Sequence, residues 1–458
     1  MKLLYRRCAG LDVHKSSVTV CVRRRVSGSS QVEMEEAVFA TFTQDLRRLG
    51  AWLKQHKVKH VAMESTGVYW IPVWNALEGQ SLSLTLVNPA TVRALQGRKT
   101  DRIDARRIAE YMQYGLLGGS FVPPRAVRQW RELTRMRVHV QQDRNRVINR
   151  IARQLETVNI KLPSVASNIV GKSGRAILAA LAAGRSTPEQ MANQALSRLR
   201  DKRAALVLAL DGKPDAHFRW MLSRLLRKLE SLDMELAEID AQLDQQMSEQ
   251  ADLIERLSTI PGVDRTTAQA VIAELGTDMS VFPDAAHLAS WAGLCPGNAE
   301  SAGKRFSGRT RKGDRYLRRV LVQSAWAAAR TRNCFLRALF FRIAGKRGLK
   351  KAAVAVAHRV LTIIWRIIRD GGAYEERGDD YFDQRDPQRT ARKLTRRLEH
   401  IGFEVEIKRR PIDPVPNDQA VPASVCGKCH RWHLAHCIHH NPRPLRKRHP
   451  PKSLESQG

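Results

Sequence analysis

The sequence predicts an α/β domain over residues 1–122, a helical arm over 123–250, a mostly α-helical unit over 251–372 and a basic tail over 373–458. Three observations carry this prediction. Apolar runs of period two crowd the first quarter of the chain and then stop. A leucine heptad begins at Leu222. Beyond Gly371-Gly372 the chain becomes poor in apolar residues.

RRCAGLDV and SSVTVCVRRRV alternate like paired strands, and EEAVFATF is a third candidate. Thr43 is placed to cap the helix QDLRRLGAWLKQH. HVAMEST is a fourth strand and SLTLVN a fifth, with the aromatic segment VYWIPVWNALE between them. Thr100 is placed to cap a helix that holds Asp101, Asp104, Arg106 and Arg107. Three strands are followed by alternating helix and strand, with acids on the first strand, the fourth strand and a late helix. That is the order of an RNase H-like fold.

Pro123-Pro124 marks a boundary, and a basic helical pattern follows from Arg125 to Glu156, with Leu133, Val140 and Val147 seven apart. The stretch from 157 to 215 is less regular. In the heptad, Leu222, Leu229, Leu236 and Leu243 take one position, and Leu225, Leu232 and Ile239 take the other. Two such arms predict an antiparallel hairpin, an oligomerisation coil or both; an internal helical bundle is the plainer alternative. LSTIPGVDRTTAQAVIAELG reads as a helix-hairpin-helix, whose turn amides and following helix N-terminus can hold a phosphate. A plain helical hairpin is the alternative.

Charge points to a partner. The chain carries 78 Lys+Arg against 45 Asp+Glu, a formal net charge of +33. Such an excess suits a polyanion, and nucleic acid is the usual one. No apolar run is long enough to span a membrane, and charge interrupts the N-terminal MKLLYRRCAGLD too early for a signal peptide. Seven cysteines in a chain of this length do not make a disulfide framework. A reducing, cytoplasmic setting is expected.

Four acids are the principal candidates: Asp12 in GLDVHK, Glu64 in VAMEST, and Asp101 and Asp104 in KTDRIDARRIA. Asp101 and Asp104 are three apart, so both lie on one helix face. Four converging carboxylates repel unless divalent cations neutralise them. Hard cations take oxygen ligands, and a pair of them makes a phosphodiester-cleaving site. The alternative reading gives each acid an ordinary strand-end, surface or helix-start role. Lys15 and Lys99 are nearby candidates for contact with a scissile strand, or solvated surface residues.

Ser301 stands out by its context, PGNAESAGKRFSGRTRKG. Ala302-Gly303 lets backbone approach a phosphate closely. Lys304, Arg305, Arg309, Arg311, Lys312 and Arg315 follow as nucleic-acid-binding candidates, and arginine suits bidentate phosphate contact. Between 301 and 360 there are 17 Lys or Arg and a single acid, Asp314. A serine hydroxyl needs activation, and no histidine is near in sequence, so metal or the basic cluster must supply it. Ser307 competes for the role. In the tail, Cys426, Cys429, His433 and Cys437 are a ligand set for one structural zinc, with His430, His436, His439 and His440 as alternates. The alternative is a disordered His-rich tail.

From about residue 8 to 372 the chain resembles the DEDD-type insertion-sequence transposases. Those have a RuvC-like N-terminal domain, a coiled coil and a serine-bearing transposase domain. The resembling segments, in order, are GLDVHK, AMEST, KTDRIDARRIA, IPGVDRTTAQAVIAELG, FPDAAHLASWAGLCPG and ESAGKRFSGRTRKGDRYLRR. The resemblance implies that Asp12, Glu64, Asp101 and Asp104 bind magnesium and that Ser301 is the recombination nucleophile. Ala302 stands where many relatives have glycine. It further implies donor and target DNA, a structured noncoding bridge RNA, and dimers joined into a tetramer. The setting it implies is the bacterial cytoplasm, in association with the nucleoid when bound. A junction resolvase that hydrolyses with water, and a non-enzymatic architectural binder of nucleic acid, are the competing readings.

Overall fold

The computed structural model describes residues 3–408 apart from 27, 28, 30, 66, 90–100, 298, 302, 303 and 311; for 101–103, 299–301 and 304–307 it describes the backbone. The chain opens with β1 (Arg7–Val13), β2 (Ser17–Arg25), β3 (Val32–Ala40), α1 (Thr43–Gln55), β4 (His60–Glu64), α2 (Trp70–Leu77) and β5 (Ser83–Val87). Next come α3 (Asp101–Gln113) and β6 (Gly119–Ser120). The strands form one sheet in the order β3-β2-β1-β4-β5-β6. β1, β2 and β3 pair antiparallel, whereas β1, β4 and β5 pair parallel. This is the RNase H-like order expected, with β6 added antiparallel at the edge.

The sheet is covered on both faces, which explains the long apolar runs in β1 and β2. Ala9, Leu11, Val13, Val61 and Met63 pack with Leu46, Leu49 and Leu53 of α1 and Val73 and Leu77 of α2. Alternate residues face the other way. Cys8 and Ala62 pack with Ile108 and Met112 of α3, and Cys21 with Ala105 and Ala109. Thr43 is not a cap: the helix begins there, and extended Phe42 is the N-cap, with no side-chain cap bond. Thr100 lies outside the described residues.

After Pro123-Pro124 the chain is helical: α4 (Arg125–Thr157), α5 (Leu162–Val165), α6 (Lys172–Ala183), α7 (Pro188–Ala192), α8 (Arg203–Leu210) and α9 (Ala216–Gln246). The less regular stretch therefore contains four α-helices, of four to twelve residues. α4 and α9 run antiparallel, because Arg137 pairs with Asp240 while Arg144 pairs with Asp233. Leu222, Leu229, Leu232, Leu236, Ile239 and Leu243 are buried, and Leu225 partly so. The heptad seam is therefore buried within a single chain.

The following elements are α10 (Ala251–Ser258), α11 (Arg265–Leu275), α12 (Ala285–Trp291), β7 (Ala299–Ser301), β8 (Lys304–Ser307), α13 (Arg315–Ala328), α14 (Phe335–Arg347), α15 (Leu349–Asp370) and α16 (Tyr381–Arg385). One hydrophobic cluster runs from Val127 to Ile367, so the two helical segments share a core. The chain divides into two compact units, Met1–Gln384 and Arg385–Gly458. The second contains α17 (Pro387–His400), an amphipathic helix with no buried residue. Among the described residues no helix is long and apolar enough to cross a membrane.

Candidate active site

β1 and β4 pair in the register Ala9↔Val61, Gly10↔Ala62 and Leu11↔Met63. The next residues on the two strands are Asp12 and Glu64. Their side chains have the parity of Cys8 and Ala62, so they belong to the face that α3 covers. Asp12 is 6% exposed, and its Oδ2 lies 3.1 Å from His14 Nε2. Glu64 is half-buried at the end of β4.

Gly10 sets how α3 lies on this face. A β-carbon there would stand 2.4 Å from the Ala105 carbonyl oxygen and 2.3 Å from the Ala109 amide nitrogen. Cys8 Sγ, two residues back, donates to the carbonyl of Ala109 at 3.3 Å. The start of the chain reaches the other end of the helix, where Leu4 N donates to Gln113 O at 3.0 Å. α3 thus runs opposite to β1. Two residues of strand advance about 6.6 Å and four of helix about 6 Å, which brings the first turn of α3 level with Asp12. Asp104 is half-buried in that turn; Asp101 begins it, and its side chain lies outside the description. Among the described residues, no group of three or more His, Cys, Asp or Glu side chains stands arranged to hold a metal ion.

Burial pushes the Cys8 thiol up to about 12, against a lowering by nearby Arg23, and the Cys21 thiol up to about 11. Both stay protonated beneath α3 and are unsuited to nucleophilic work.

Ser301 ends β7, opposite Lys304 at the start of β8. It is next to the tip of a hairpin, joined through Ala302 and Gly303, which lie outside the described residues. Ser307 sits at the far end of β8, opposite Ala299. The hairpin continues to a Pro296↔Thr310 bridge, with Gly297 N donating to Arg309 O at 2.7 Å. Lys304 and Arg305 lie on β8, and Arg309 and Lys312 are exposed below it. Arg311 lies outside the described residues. Arg315 is exposed, donates to the Tyr316 hydroxyl at 2.9 Å and lies over that ring.

Sequence reasoning missed an ionic network at the base of this hairpin. Glu274 of α11 is 2% exposed and accepts two bonds from Arg135, at 2.8 and 2.9 Å. Arg131 lies 2.9 Å from the same carboxylate. Asp314 accepts from Arg135 at 3.2 Å and also caps α13. The one available signal was Asp314 itself, the sole acid in a long basic stretch.

The turn between α10 and α11 is seated on protein. Gly262 has φ +84°, and a β-carbon there would meet the Ser324 carbonyl oxygen at 2.3 Å. Asp264 caps α11 by accepting from Thr267 N at 2.8 Å, so one of the amides expected for a phosphate already has a partner. Cys426, Cys429, His433 and Cys437 lie outside the described residues.

A family model for DEDD transposases of the IS110 type matches residues 9–160, across the acids. A second, for the transposase IS116/IS110/IS902 family, matches residues 254–339, across Ser301. The chain belongs to the IS110 family of DEDD transposases. It is 26% identical over 325 residues to the transposase of insertion sequence IS1111A from Coxiella burnetii, which covers 68% of this chain and 78% of that protein. It is 23% identical to the pilin gene-inverting protein of Moraxella bovis over 80% of this chain and 97% of that one. An IS900 42 kDa protein from Mycobacterium paratuberculosis is 32% identical over 34% of this chain. The match spans 39% of that IS900 protein, and only 30% and 44% of two further family relatives. The family segments end at residue 339, so α17 and the tail lie outside them.

Proposed function

We propose that this chain is a transposase that cuts and rejoins DNA through a covalent bond to Ser301. Residues 1–122 form the carboxylate module, 123–250 the helical arm, 251–372 the serine-bearing module, and 373–458 a basic tail. The observation that carries the reading is the register of β1 and β4. It sets Asp12 beside Glu64 at adjacent strand ends, on the face where α3 begins with Asp101 and Asp104.

The donor set is made of carboxylate oxygens, which suits a hard divalent cation. Asp12, Glu64, Asp101 and Asp104 would hold magnesium, which when bound neutralises charge at the scissile phosphodiester. Ser301 Oγ attacks phosphorus and loses its proton; the bond from phosphorus to the leaving strand oxygen breaks, and that oxygen takes up a proton. The phosphoserine ester keeps the energy of the broken bond, so a second strand's hydroxyl can reverse the step without ATP. Lys304, Arg305, Arg309, Arg311, Lys312 and Arg315 supply cations along the DNA. Family membership supports a noncoding bridge RNA that pairs with donor and target DNA, and assembly as a dimer of dimers. Cys426, Cys429, His433 and Cys437 bind one structural zinc, testable as about one zinc per chain in tag-free protein.

The deciding experiment traps the reaction on a nicked suicide duplex carrying the element's end and maps the adduct by mass spectrometry. A phosphate on Ser301 is expected. An adduct on Ser307 moves the nucleophile, and product ends made by water without any adduct turn the reading to a RuvC-like resolvase.

A further inference from the structure

The serine hairpin and the carboxylate module are both fastened to α4. Near its start, Arg128 donates to Glu78 at 2.7 and 3.0 Å, to Asn75 at 3.0 Å and to the Pro123 carbonyl at 2.8 Å. Asn75 lies within α2 and Glu78 is its C-cap, and α2 covers the sheet bearing Asp12 and Glu64. Two turns further, about 10 Å along the axis, Arg135 reaches Glu274 and Asp314.

Asp314 follows the hairpin directly. Its Oδ1 accepts from Tyr316 N and Leu317 N at 2.9 and 2.8 Å, while its Oδ2 accepts from Arg135. The residue before it, Gly313, sits on the turn after α12, where a β-carbon would be 2.3 Å from Gly293 N. Arg318 donates to the Gly293 carbonyl at 3.1 Å. One guanidinium, held flat by a buried carboxylate, thereby fixes the point from which the strand carrying Ser301's partner returns. Apolar side chains would join these helices at least as well; what the ionic network adds is direction.

We propose that Arg135 and Asp314 are positioning residues for Ser301, holding the base of its hairpin in fixed relation to the helix that carries the carboxylate module. The proposal rests on Ser301 being the nucleophile. In-line attack tolerates little misplacement, so a loosened base slows chemistry without touching DNA. Arg131 is the internal control. It contacts the same Glu274 and donates to the carbonyls of Ala273 and Glu274, whereas the direct bond to Asp314 comes from Arg135.

The test uses full-length protein, the nicked suicide duplex and transcript of the element's noncoding segment. Arg135→Lys keeps a charge for Glu274 but cannot span both carboxylates. Its rate of adduct formation is expected to fall by about tenfold or more at unchanged DNA affinity. Arg131→Lys, which disturbs the same buried acid, is expected to lower the melting temperature while keeping the rate within about threefold of the parent. Asp314→Ser retains an N-cap acceptor and removes the arm to Arg135; it should behave like Arg135→Lys and carries the test if that variant does not fold. A parental rate in Asp314→Ser overturns the proposal. So does a rate that tracks lost stability equally in the Arg131 and Arg135 variants, which marks a structural role alone. If the parent protein itself forms no Ser301 adduct, the underlying reading fails instead, and the two failures are distinct.

Discussion

Gly10 and Ala105 meet backbone to backbone: a β-carbon on Gly10 would stand 2.4 Å from the Ala105 carbonyl oxygen. The contact sets the height of α3 over the sheet, and α3 begins with Asp101 and Asp104. Gly10→Ala should therefore lift the helix and shift both acids away from Asp12 and Glu64. Overpacking of this kind costs on the order of 1–3 kcal/mol. Metal-dependent cleavage should fall further than stability does, with DNA binding kept. Thermal melts alongside a nicking assay check this; a variant that nicks at the parental rate would show that α3 need not sit so close.

Asp12→Asn and Asp104→Asn should each abolish cleavage while leaving DNA affinity near the parental value. The amide keeps the shape of the acid and removes the charge that a cation needs. Calorimetric titration with magnesium, or with manganese as a stronger binder, should show weakened binding in both variants. Intact metal affinity in the Asp104 variant would remove that residue from the ligand set.

Much of this was legible in the residues because the period of burial was legible. β1, β2, β4 and β5 show in their apolar runs, and Asp12 and Glu64 show by lying at or near the ends of two of them. β6 has two residues and no room for a period. Thr43 misled because a good capping residue and a first helical residue look alike until the backbone of Phe42 is known. Three of the helices between 157 and 215 were hidden by their shortness, and the fourth, α6, begins within the Gly-bearing GKSGR, which reads as a break. The Arg131–Glu274–Arg135–Asp314 network joins residues far apart in sequence; Asp314 stands out as the lone acid of a basic stretch, but nothing local names its partners. The heptad positions of α9 are buried, but spacing alone does not say whether the partner helix is in the same chain.

That last point changes an expectation. Leu229 is fully buried and Leu236 is 9% exposed, both in a core that one chain forms by itself. Leu229→Lys together with Leu236→Lys should therefore unfold the arm rather than only dissociate an assembly. Losing two core leucines costs on the order of 4–10 kcal/mol, before the cost of burying ammonium groups. Circular dichroism should show a large fall in melting temperature. A well-folded variant of lower mass would instead place the seam between subunits.

Glu78 offers a pH test of the joint between the carboxylate module and α4. The hydrogen bond from Arg128 holds its carboxyl below the usual range; partial burial opposes this, and a bond from Trp74 at 3.3 Å adds to it. A carboxyl that is more acidic folded than unfolded contributes stability above its unfolded value, near 4.3, and loses that contribution as pH falls through the folded value. Glu78→Gln should therefore destabilise the protein at neutral pH, and the gap between parent and variant should close as pH drops below about 4. The pair is partly exposed, so added salt should shrink the same gap at neutral pH. Melts across that pH range at two ionic strengths measure both effects. Parallel curves for parent and variant would mean that the Arg128 clamp holds through Asn75 and the Pro123 carbonyl, and that the charge on Glu78 is dispensable.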